Sequence, residues 1–212
     1  PPQTGGYKPQ YLDDVQPPGW LKSFQRHLLP IDGGHYLLVD LFKVRDDKEQ
    51  SAVEEYWHVR QHGIPPNLEE CEIGNTQSHV DVDVNGPNEV QLSAICSTLE
   101  RGRLAESVGR IHGISLHPGR FVDAGDVIFT NRINQTDQFK RFKWAPDEAQ
   151  ADGIRLFVLA AAPRADALPG VDMSLAGCPQ GQCAQVRVGD SEYHLVFEDQ
   201  GDHWSLTPTQ IQ

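Results

Sequence analysis

The chain has 212 residues and carries 30 acidic against 18 basic side chains, which gives a net charge of −12 with histidine neutral. Apolar residues make up 38%, and four Trp, five Tyr and eight Phe are enough to build a core, so a wholly disordered chain is excluded. No repeat indicates a collagen-like or coiled-coil chain. No apolar run approaches the roughly 18 residues of a membrane span, so we predict no transmembrane segment.

Proline and glycine mark the N-terminal segment. Residues 1–20 contain five Pro and three Gly, which disfavours both a helix and a central strand, so we predict an extended arm. Residues 21–29 are compatible with a short helix that Pro30 ends. Residues 35–44 are apolar at most positions, which predicts a strand buried on both faces of a sheet.

Two longer helices are predicted in the first half of the chain. In residues 46–62, an Asp pair provides an N-cap, and Gly63 with the prolines after it ends the pattern. Residues 88–108 carry enough spaced apolar side chains for a second helix. Between these helices, residues 78–84 alternate Val with His and Asp, which predicts a half-buried strand with an acidic solvent face.

From residue 109 onward, glycines separate short apolar runs, which predicts strands. Residues 121–129 place Asp-Ala-Gly-Asp between two apolar runs, a pattern that predicts a tight hairpin. Residues 154–159 predict a buried strand. The segment from residue 185 onward predicts a three-stranded meander with turns at residues 189–191 and 199–202.

The order strand, helix, strand, helix, then mostly strands predicts an α+β fold, with a helix-containing N-terminal half and a β-rich C-terminal half that ends in an antiparallel meander. The strand–helix–strand order near residues 35–84 resembles half of a ferredoxin-like fold, in arrangement alone. We expect an arm at 1–20, an α+β region at 21–108 and a β-rich region at 109–212. A single domain over residues 21–212 is an equal alternative.

Four cysteines bear on the compartment: Cys71, Cys96, Cys178 and Cys183. A Pro-Gln-Gly-Gln turn separates Cys178 from Cys183, which predicts a local disulfide; free thiols and a metal site are the alternatives. A disulfide favours an extracytoplasmic location, secreted or periplasmic, although a cytoplasmic one stays open. Whether Cys71 pairs with Cys96 also stays open.

The predicted helix at 46–62 carries the candidate metal ligands. Helical spacing would place Glu55, His58 and His62 on one face, and two imidazoles with a carboxylate suit a divalent transition metal. The spacing differs from the HExxH metalloprotease motif, in which Glu directly follows the first His. An exposed polar helix face is the alternative, and no other cofactor is expected.

A segment with two histidines is the candidate catalytic loop. His112, Ser115, His117 and Arg120 lie among glycines. In such a loop a His could act as general base, and an Arg could neutralise an anionic substrate. Ser115 lacks the GxSxG pattern of a nucleophile elbow. An ordinary turn between strands is the alternative.

Charge is segregated along the chain. From Arg101 to Lys143, eight basic and four acidic residues give a local net charge of +4, so the remainder carries −16. The run Phe-Lys-Arg-Phe-Lys-Trp at 139–144 interleaves aromatic and cationic side chains, which suits an anionic ligand or a protein partner. An edge strand with outward cations is the alternative. The predicted binding residues are Arg120, Lys140, Arg141, Phe142, Lys143 and Trp144.

These features favour a non-enzymatic binding or assembly protein, exported, that contacts a protein partner or further copies of itself through the arm and the basic-aromatic strip. The negative charge of the rest of the chain disfavours nucleic acid. The first alternative is a small His-dependent hydrolase, lyase or isomerase, with or without a bound divalent transition metal. The second is a polyanion or carbohydrate binder.

Overall fold

The computed structural model describes residues 21–46, 52–61, 79–100, 103–130, 136–163 and 167–211. The predicted arm at residues 1–20 lies outside this part of the chain. Apart from a 3-10 turn at Asp32–Gly34, the described residues contain no helix. They form thirteen strands: β1 (Leu21–Ile31), β2 (His35–Val44), β3 (Glu55–Gln61), β4 (His79–Gly86), β5 (Glu89–Glu100), β6 (Arg103–Ser115), β7 (Gly119–Thr130), β8 (Thr136–Pro146), β9 (Asp152–Pro163), β10 (Val171–Cys178), β11 (Gly181–Val188), β12 (Ser191–Asp199) and β13 (Trp204–Ile211).

The strands form three antiparallel sheets. The central sheet has the order β1-β2-β9-β6-β5-β4, one outer sheet has the order β3-β8-β7, and the other has the order β10-β11-β12-β13. Strand β9 pairs with β2 on one side and with β6 on the other. Because side chains alternate between the two faces of a strand, the central sheet packs one face against each outer sheet.

The face toward the four-stranded sheet is mainly aliphatic. Strand β2 contributes odd-numbered residues to this core and β9 contributes even-numbered ones, while β11, β12 and β13 close it from the other side. Its members include Leu37, Val39, Leu41, Ile154, Leu156, Val158, Val186, Leu195, Phe197 and Trp204.

The opposite face packs against the three-stranded sheet through aromatic rings. Phe157 lies edge-on to Trp57 and Trp144, with ring centroids 5.4 Å and 5.6 Å apart. Glycine makes room for these rings, because a Cβ at Gly113 would lie 2.8 Å from the Phe157 ring and 2.9 Å from the Trp144 ring. The aromatic core therefore requires a residue without a side chain on β6.

The prediction of an α+β fold is wrong, and the ferredoxin-like order falls with it. The described parts of the segments predicted as helices, 21–29, 46–62 and 88–108, lie in strands, in turns or in chain without regular structure. Along β3, Trp57 and Val59 point toward the core, whereas Tyr56 and His58 are exposed. This two-residue period, completed by partner strands far away in the chain, outweighs the local capping pattern.

Pro30 lies inside β1 rather than at the end of a helix. Strand β1 is the outermost strand of the central sheet among the described residues, and Pro30 faces Tyr36 of β2. A proline is tolerated in an edge strand because its missing N–H can face away from the ladder.

The prediction of a tight hairpin at residues 121–129 is also wrong. The segment belongs to one long strand, β7, whose register against β8 shifts between Asp123 and Gly125. Gly125 has φ +72°, and its N–H donates to the Asp123 carboxylate at 2.7 Å. The Asp-Ala-Gly-Asp sequence therefore forms a β-bulge, which uses the same residue types as a tight turn.

Several strand predictions are confirmed. Residues 35–44 form β2, which is buried at nearly every position, and residues 154–159 lie within β9. The C-terminal meander is present as β11, β12 and β13. A fourth strand that was not predicted, β10, pairs with β11 at the edge of this sheet.

The predicted local disulfide is confirmed. Cys178 and Cys183 are bonded, with an S–S distance of 2.09 Å and Cα atoms 5.8 Å apart. They lie on either side of the turn that joins β10 to β11, where Cys183 faces Ala176 across the hairpin. Cys71 lies outside the described residues.

Candidate functional site

The basic-aromatic strip lies in β8, the middle strand of the three-stranded sheet. Alternation along β8 sends Phe142 and Trp144 into the aromatic core, where both are fully buried. Phe142 stacks on Trp57 with ring centroids 5.9 Å apart, and Trp144 lies edge-on to Phe121 at 4.9 Å. These two rings contribute to packing, whereas Phe139, Arg141 and Lys143 alternate with them and lie on the opposite face of β8.

The cations of the strip contact groups on the neighbouring strands. Lys140 lies 3.1 Å from Asp123, and Lys143 lies 2.5 Å from Glu54. Hydrogen bonds to these carboxylates raise the pKa of both lysines. Arg141 donates to a backbone carbonyl of β7 at 3.0 Å. Each lysine of the strip is therefore paired with a carboxylate, and Arg141 binds a backbone carbonyl.

The predicted catalytic loop does not place its serine beside an imidazole. Nε2 of His117 lies 3.0 Å from Oδ1 of Asp152, whereas the hydroxyl of Ser115 donates to the backbone carbonyl of His117. Arg120 pairs separately with Asp147 at 2.8 Å. Ser115 thus supports the turn after β6, and the pair that remains for acid–base chemistry is His117 with Asp152.

His112 lies apart from that turn, on β6. Its Nδ1 is 3.9 Å from a carboxylate oxygen of Glu89, and Nε of Arg110 lies 3.4 Å from the same oxygen. Burial lowers the pKa of His112, although Glu89 acts in the opposite direction. The burial of His112 therefore favours its uncharged imidazole.

The predicted metal ligands do not share a face. Glu55 and His58 are three residues apart on β3, so alternation turns Glu55 inward and His58 toward solvent. His62 lies outside the described residues. In the part of the chain that the structure describes, no group of three or more His, Cys, Asp or Glu side chains is placed to hold a metal ion. The helix face on which this ligand set depended is a strand.

A network of two arginines and two carboxyl groups lies beside the aromatic core, and the sequence analysis missed it. The Arg26 side chain is about half exposed, whereas the other three are 10% exposed or less. Arg26, Asp40 and Arg155 occupy facing positions on β1, β2 and β9, and Glu55 of β3 completes the group. Arg26 binds both carboxylate oxygens of Asp40, at 2.6 Å and 2.8 Å, and reaches Glu55 at 2.8 Å. Asp40 and Arg155 are only 1% and 2% exposed, a depth at which a charge requires partners.

Glu55 has the most perturbed carboxyl of this network. Burial, followed by the negative charge of Asp40 and a hydrogen bond with it, raises the pKa of Glu55 to about 8, although Arg26 and Arg155 oppose the shift. Nη1 of Arg155 lies 4.0 Å from Glu55, and its Nη2 donates to Gln150 at 3.3 Å. The network therefore links three strands of the central sheet to the three-stranded sheet.

A polar cavity of about 320 Å³ lies at the end of β2. The Lys43 ammonium group on its wall lies 2.6 Å from Asp199, 4.0 Å from Asp152 and 4.7 Å from the centre of the Trp204 ring. Because Asp152 also contacts His117, an imidazole, a carboxylate and an ammonium group meet beside this cavity. Its other charged lining residues are Lys22, Arg45 and Asp46.

Apolar side chains are exposed on one face of β1 and β2. Phe24 and Leu28 are 51% and 57% exposed, and Tyr36 is 45% exposed. Leu28 faces Leu38 across the two strands, and Pro30 faces Tyr36, so these side chains share one surface. We call Phe24, Leu28, Pro30 and Tyr36 the β1 surface. The half-exposed Arg26 lies between Phe24 and Leu28 on this face, with its guanidinium carbon 5.8 Å from the centre of the Phe24 ring. Exposed apolar groups clustered on a protein are typical of interaction sites.

No helix in the described part of the chain has the length and apolar character that a membrane crossing requires. In comparisons with known proteins, no family model, no curated protein and no solved structure matches this chain. Functional inference therefore rests on the chemistry of the chain's own residues.

Proposed function

We propose that this chain is an assembly protein that binds further copies of itself through the β1 surface. A contrast between the two lateral ends of the central sheet supports this proposal. Each outer sheet covers only part of one face of the central sheet, so one edge region of each face stays uncovered. The two uncovered regions carry different kinds of side chain.

The first uncovered end lies at β1, on the face toward the three-stranded sheet. The cross-strand row Leu28, Leu38, Phe157 goes from 57% through 6% to 0% exposed, so coverage begins at β2. On this face β1 presents Phe24, Leu28 and Pro30 together with the charged Lys22 and Arg26. A solvent-facing strand normally carries fewer apolar side chains than this. Covering Phe24 and Leu28 would contribute about 1–2 kcal/mol each, since about half of each side chain remains to be buried.

The second uncovered end lies at β4 and β5, on the opposite face. Asp83 faces Gln91, which in turn faces Arg110, and Asp81 faces Ser93. Polar side chains in this pattern suit a strand that faces water. Because the β1 end is the more apolar of the two, the contrast supports an apolar contact at β1.

Sedimentation velocity over a concentration series tests the proposal. We expect the double variant Phe24→Ser/Leu28→Ser to stay monomeric at concentrations where the wild type associates. Ile128→Ser is the matched control, because Ile128 is a comparably exposed apolar residue on β7, and it should associate like the wild type. A wild type that stays monomeric, or a double variant that associates normally, would refute the proposal.

We also propose that the chain is exported, and the Cys178–Cys183 disulfide supports an oxidising compartment. Intact-mass measurement after alkylation would test this. Protein made in a reducing cytosol should carry two modified thiols at these positions, and protein made in an oxidising compartment should carry none. A bond that forms fully in the reducing cytosol would remove this support.

A second candidate function, a His-dependent hydrolysis, is favoured by the His117–Asp152 pair beside the polar cavity. Asp152 would orient His117 as a general base, and Lys43 would bind an anionic group of the substrate. His117→Ala should then abolish turnover of generic ester or phosphate substrates, and His203→Ala, at an exposed histidine, should not. No turnover by the wild type, or equal turnover by both variants, would refute this function.

A further inference from the structure

We propose that the β1 edge of one copy pairs with the β4 edge of the next, so that the central sheet continues from copy to copy. This inference rests on the assembly function proposed above and specifies the surface that β1 binds. Among the described residues, β1 and β4 are the two outermost strands of the central sheet. Strand addition at such edges is a common mode of association.

Strand direction permits this contact. Every pairing in the central sheet is antiparallel, and the sheet has six strands, so β1 and β4 run in opposite directions. A copy placed alongside in the same orientation therefore sets its β1 antiparallel to β4 of its neighbour. In this arrangement each face of the sheet continues on the same side.

The two edges match on the face toward the three-stranded sheet. There β1 carries Phe24 and Leu28, with Arg26 between them, and β4 carries Val82 and Val84, which pack against the aromatic core. Pairing would place the exposed apolar groups of β1 beside the valines of the neighbour. The exposed apolar side chains of β1 in one copy would then extend the apolar face that the valines of β4 form in the neighbouring copy.

The two edges also match on the opposite face. There β1 carries Gln25 and His27, and β4 carries the exposed Asp81 and Asp83. An amide and an imidazole beside carboxylates form favourable cross-strand pairs, with a larger contribution when the imidazole is protonated. On neither face does the pairing set a carboxylate against an apolar side chain.

The lengths of the two edges agree as well. Pro30 cannot donate to a ladder, which limits pairing along β1 to about residues 22–29. Strand β4, His79–Gly86, spans the same number of residues. A contact between two different edges does not close at a dimer, so the assembly should grow as the concentration rises.

Two double variants, each with one of the two strand edges blocked, test this contact by sedimentation velocity. Phe24→Arg/Leu28→Arg blocks the β1 edge, and Asp81→Arg/Asp83→Arg blocks the β4 edge. Each variant alone should be monomeric, whereas an equimolar mixture should form a dimer, because each variant supplies the edge that the other lacks. A mixture that stays monomeric would overturn the inference.

Matched controls place the same substitution elsewhere on the surface. Ile128→Arg on β7 and Asp190→Arg in the turn before β12 should assemble like the wild type. Far-UV circular dichroism and Tm report whether each variant is folded. If Asp81→Arg/Asp83→Arg does not fold, Asp81→Asn/Asp83→Asn replaces it, with association expected to weaken about three-fold.

The outcomes separate this inference from the proposed function. If the β4 variant assembles like the wild type while the β1 variant stays monomeric, the β1–β4 contact is refuted and assembly through the β1 surface is retained. If the wild type is monomeric throughout the concentration series, both are refuted.

Discussion

Arg26 and Asp40 form a bidentate ion pair across β1 and β2, with Nε–Oδ1 at 2.8 Å and Nη2–Oδ2 at 2.6 Å. The same guanidinium reaches Glu55 on β3. One side chain therefore ties the strand that carries the β1 surface to a buried carboxylate and to the three-stranded sheet. The stability of the fold and the shape of the β1 surface consequently depend on the same contact.

Removal of the Asp40 carboxylate should destabilise the protein strongly. In Asp40→Ala, Arg155 stays buried while losing a nearby negative charge, and we expect the free energy of unfolding to fall by about 3–5 kcal/mol. Urea denaturation measures this loss. Asp147→Ala is the control, because it removes an exposed pair with Arg120 and should cost less than about 1 kcal/mol. Equal losses in the two variants would contradict this account.

Stability should fall as the pH rises through neutrality. Glu55 has a folded-state pKa of about 8, above its ordinary value of 4.5, so the folded protein holds this proton more tightly than the unfolded chain does. The resulting stabilisation is complete below about pH 4.5 and is lost by about pH 8, at up to about 1.4 kcal/mol per pH unit between them.

Urea denaturation of the wild type and of Glu55→Gln between pH 5 and 9 would measure this dependence. Glutamine keeps the neutral shape of the protonated group, so its stability should change much less over this range. Parallel pH profiles for the two proteins would show that Glu55 does not hold the proton. Arg26, Asp40 and Arg155 face Glu55 in both proteins, which keeps their contribution matched.

A methyl group at Gly113 should disturb the aromatic core. Its Cβ would lie 2.8 Å from Phe157 and 2.9 Å from Trp144, both of which are buried. We expect Gly113→Ala to cost about 1–3 kcal/mol through overpacking and to change the tryptophan fluorescence. Gly177→Ala is the control, because nothing lies within 4 Å of a Cβ there. Unchanged fluorescence and stability in Gly113→Ala would argue against this packing.

Loss of the disulfide should have a moderate effect. Cys178 and Cys183 are separated by 5 positions, so the bond closes a short loop and removes little entropy from the unfolded chain. For a loop of this size, we expect Cys178→Ser/Cys183→Ser to lower the free energy of unfolding by about 2 kcal/mol. Thermal denaturation with and without reductant checks this, and a Tm that reductant leaves unchanged in the wild type would contradict it.

The elements that sequence predicted correctly are those whose signal is local. Residues 35–44 form a dense apolar run, and the C-terminal meander has glycine-containing turns between its strands. Both patterns can therefore be predicted without knowing which distant strand lies beside them. The segment at 46–62 failed because Asp and Glu near its start look like helix caps, while β3 pairs with β8 much later in the chain. Local patterns do not contain that partner.

The network of Arg26, Asp40, Glu55 and Arg155 likewise depends on partner strands that local sequence patterns do not show. Asp40 and Arg155 each stand between two apolar residues within a strand, which is a visible signal in both segments. Their meeting depends on β2 lying beside β9 in a register that sets these two residues opposite each other. In the strip at 139–144, Phe142 and Trp144 follow the two-residue period of a strand and point inward.

The position of β9 sets an order for folding during synthesis. Residues 35–44 emerge from the ribosome long before residues 152–163, yet β2 and β6 meet only through β9. Until β9 has been made, the β1–β2 hairpin and the β4–β5–β6 meander are separate units with unpaired inner edges, and the central sheet cannot close. The nascent chain therefore spends much of its translation with apolar strand edges that a chaperone would recognise.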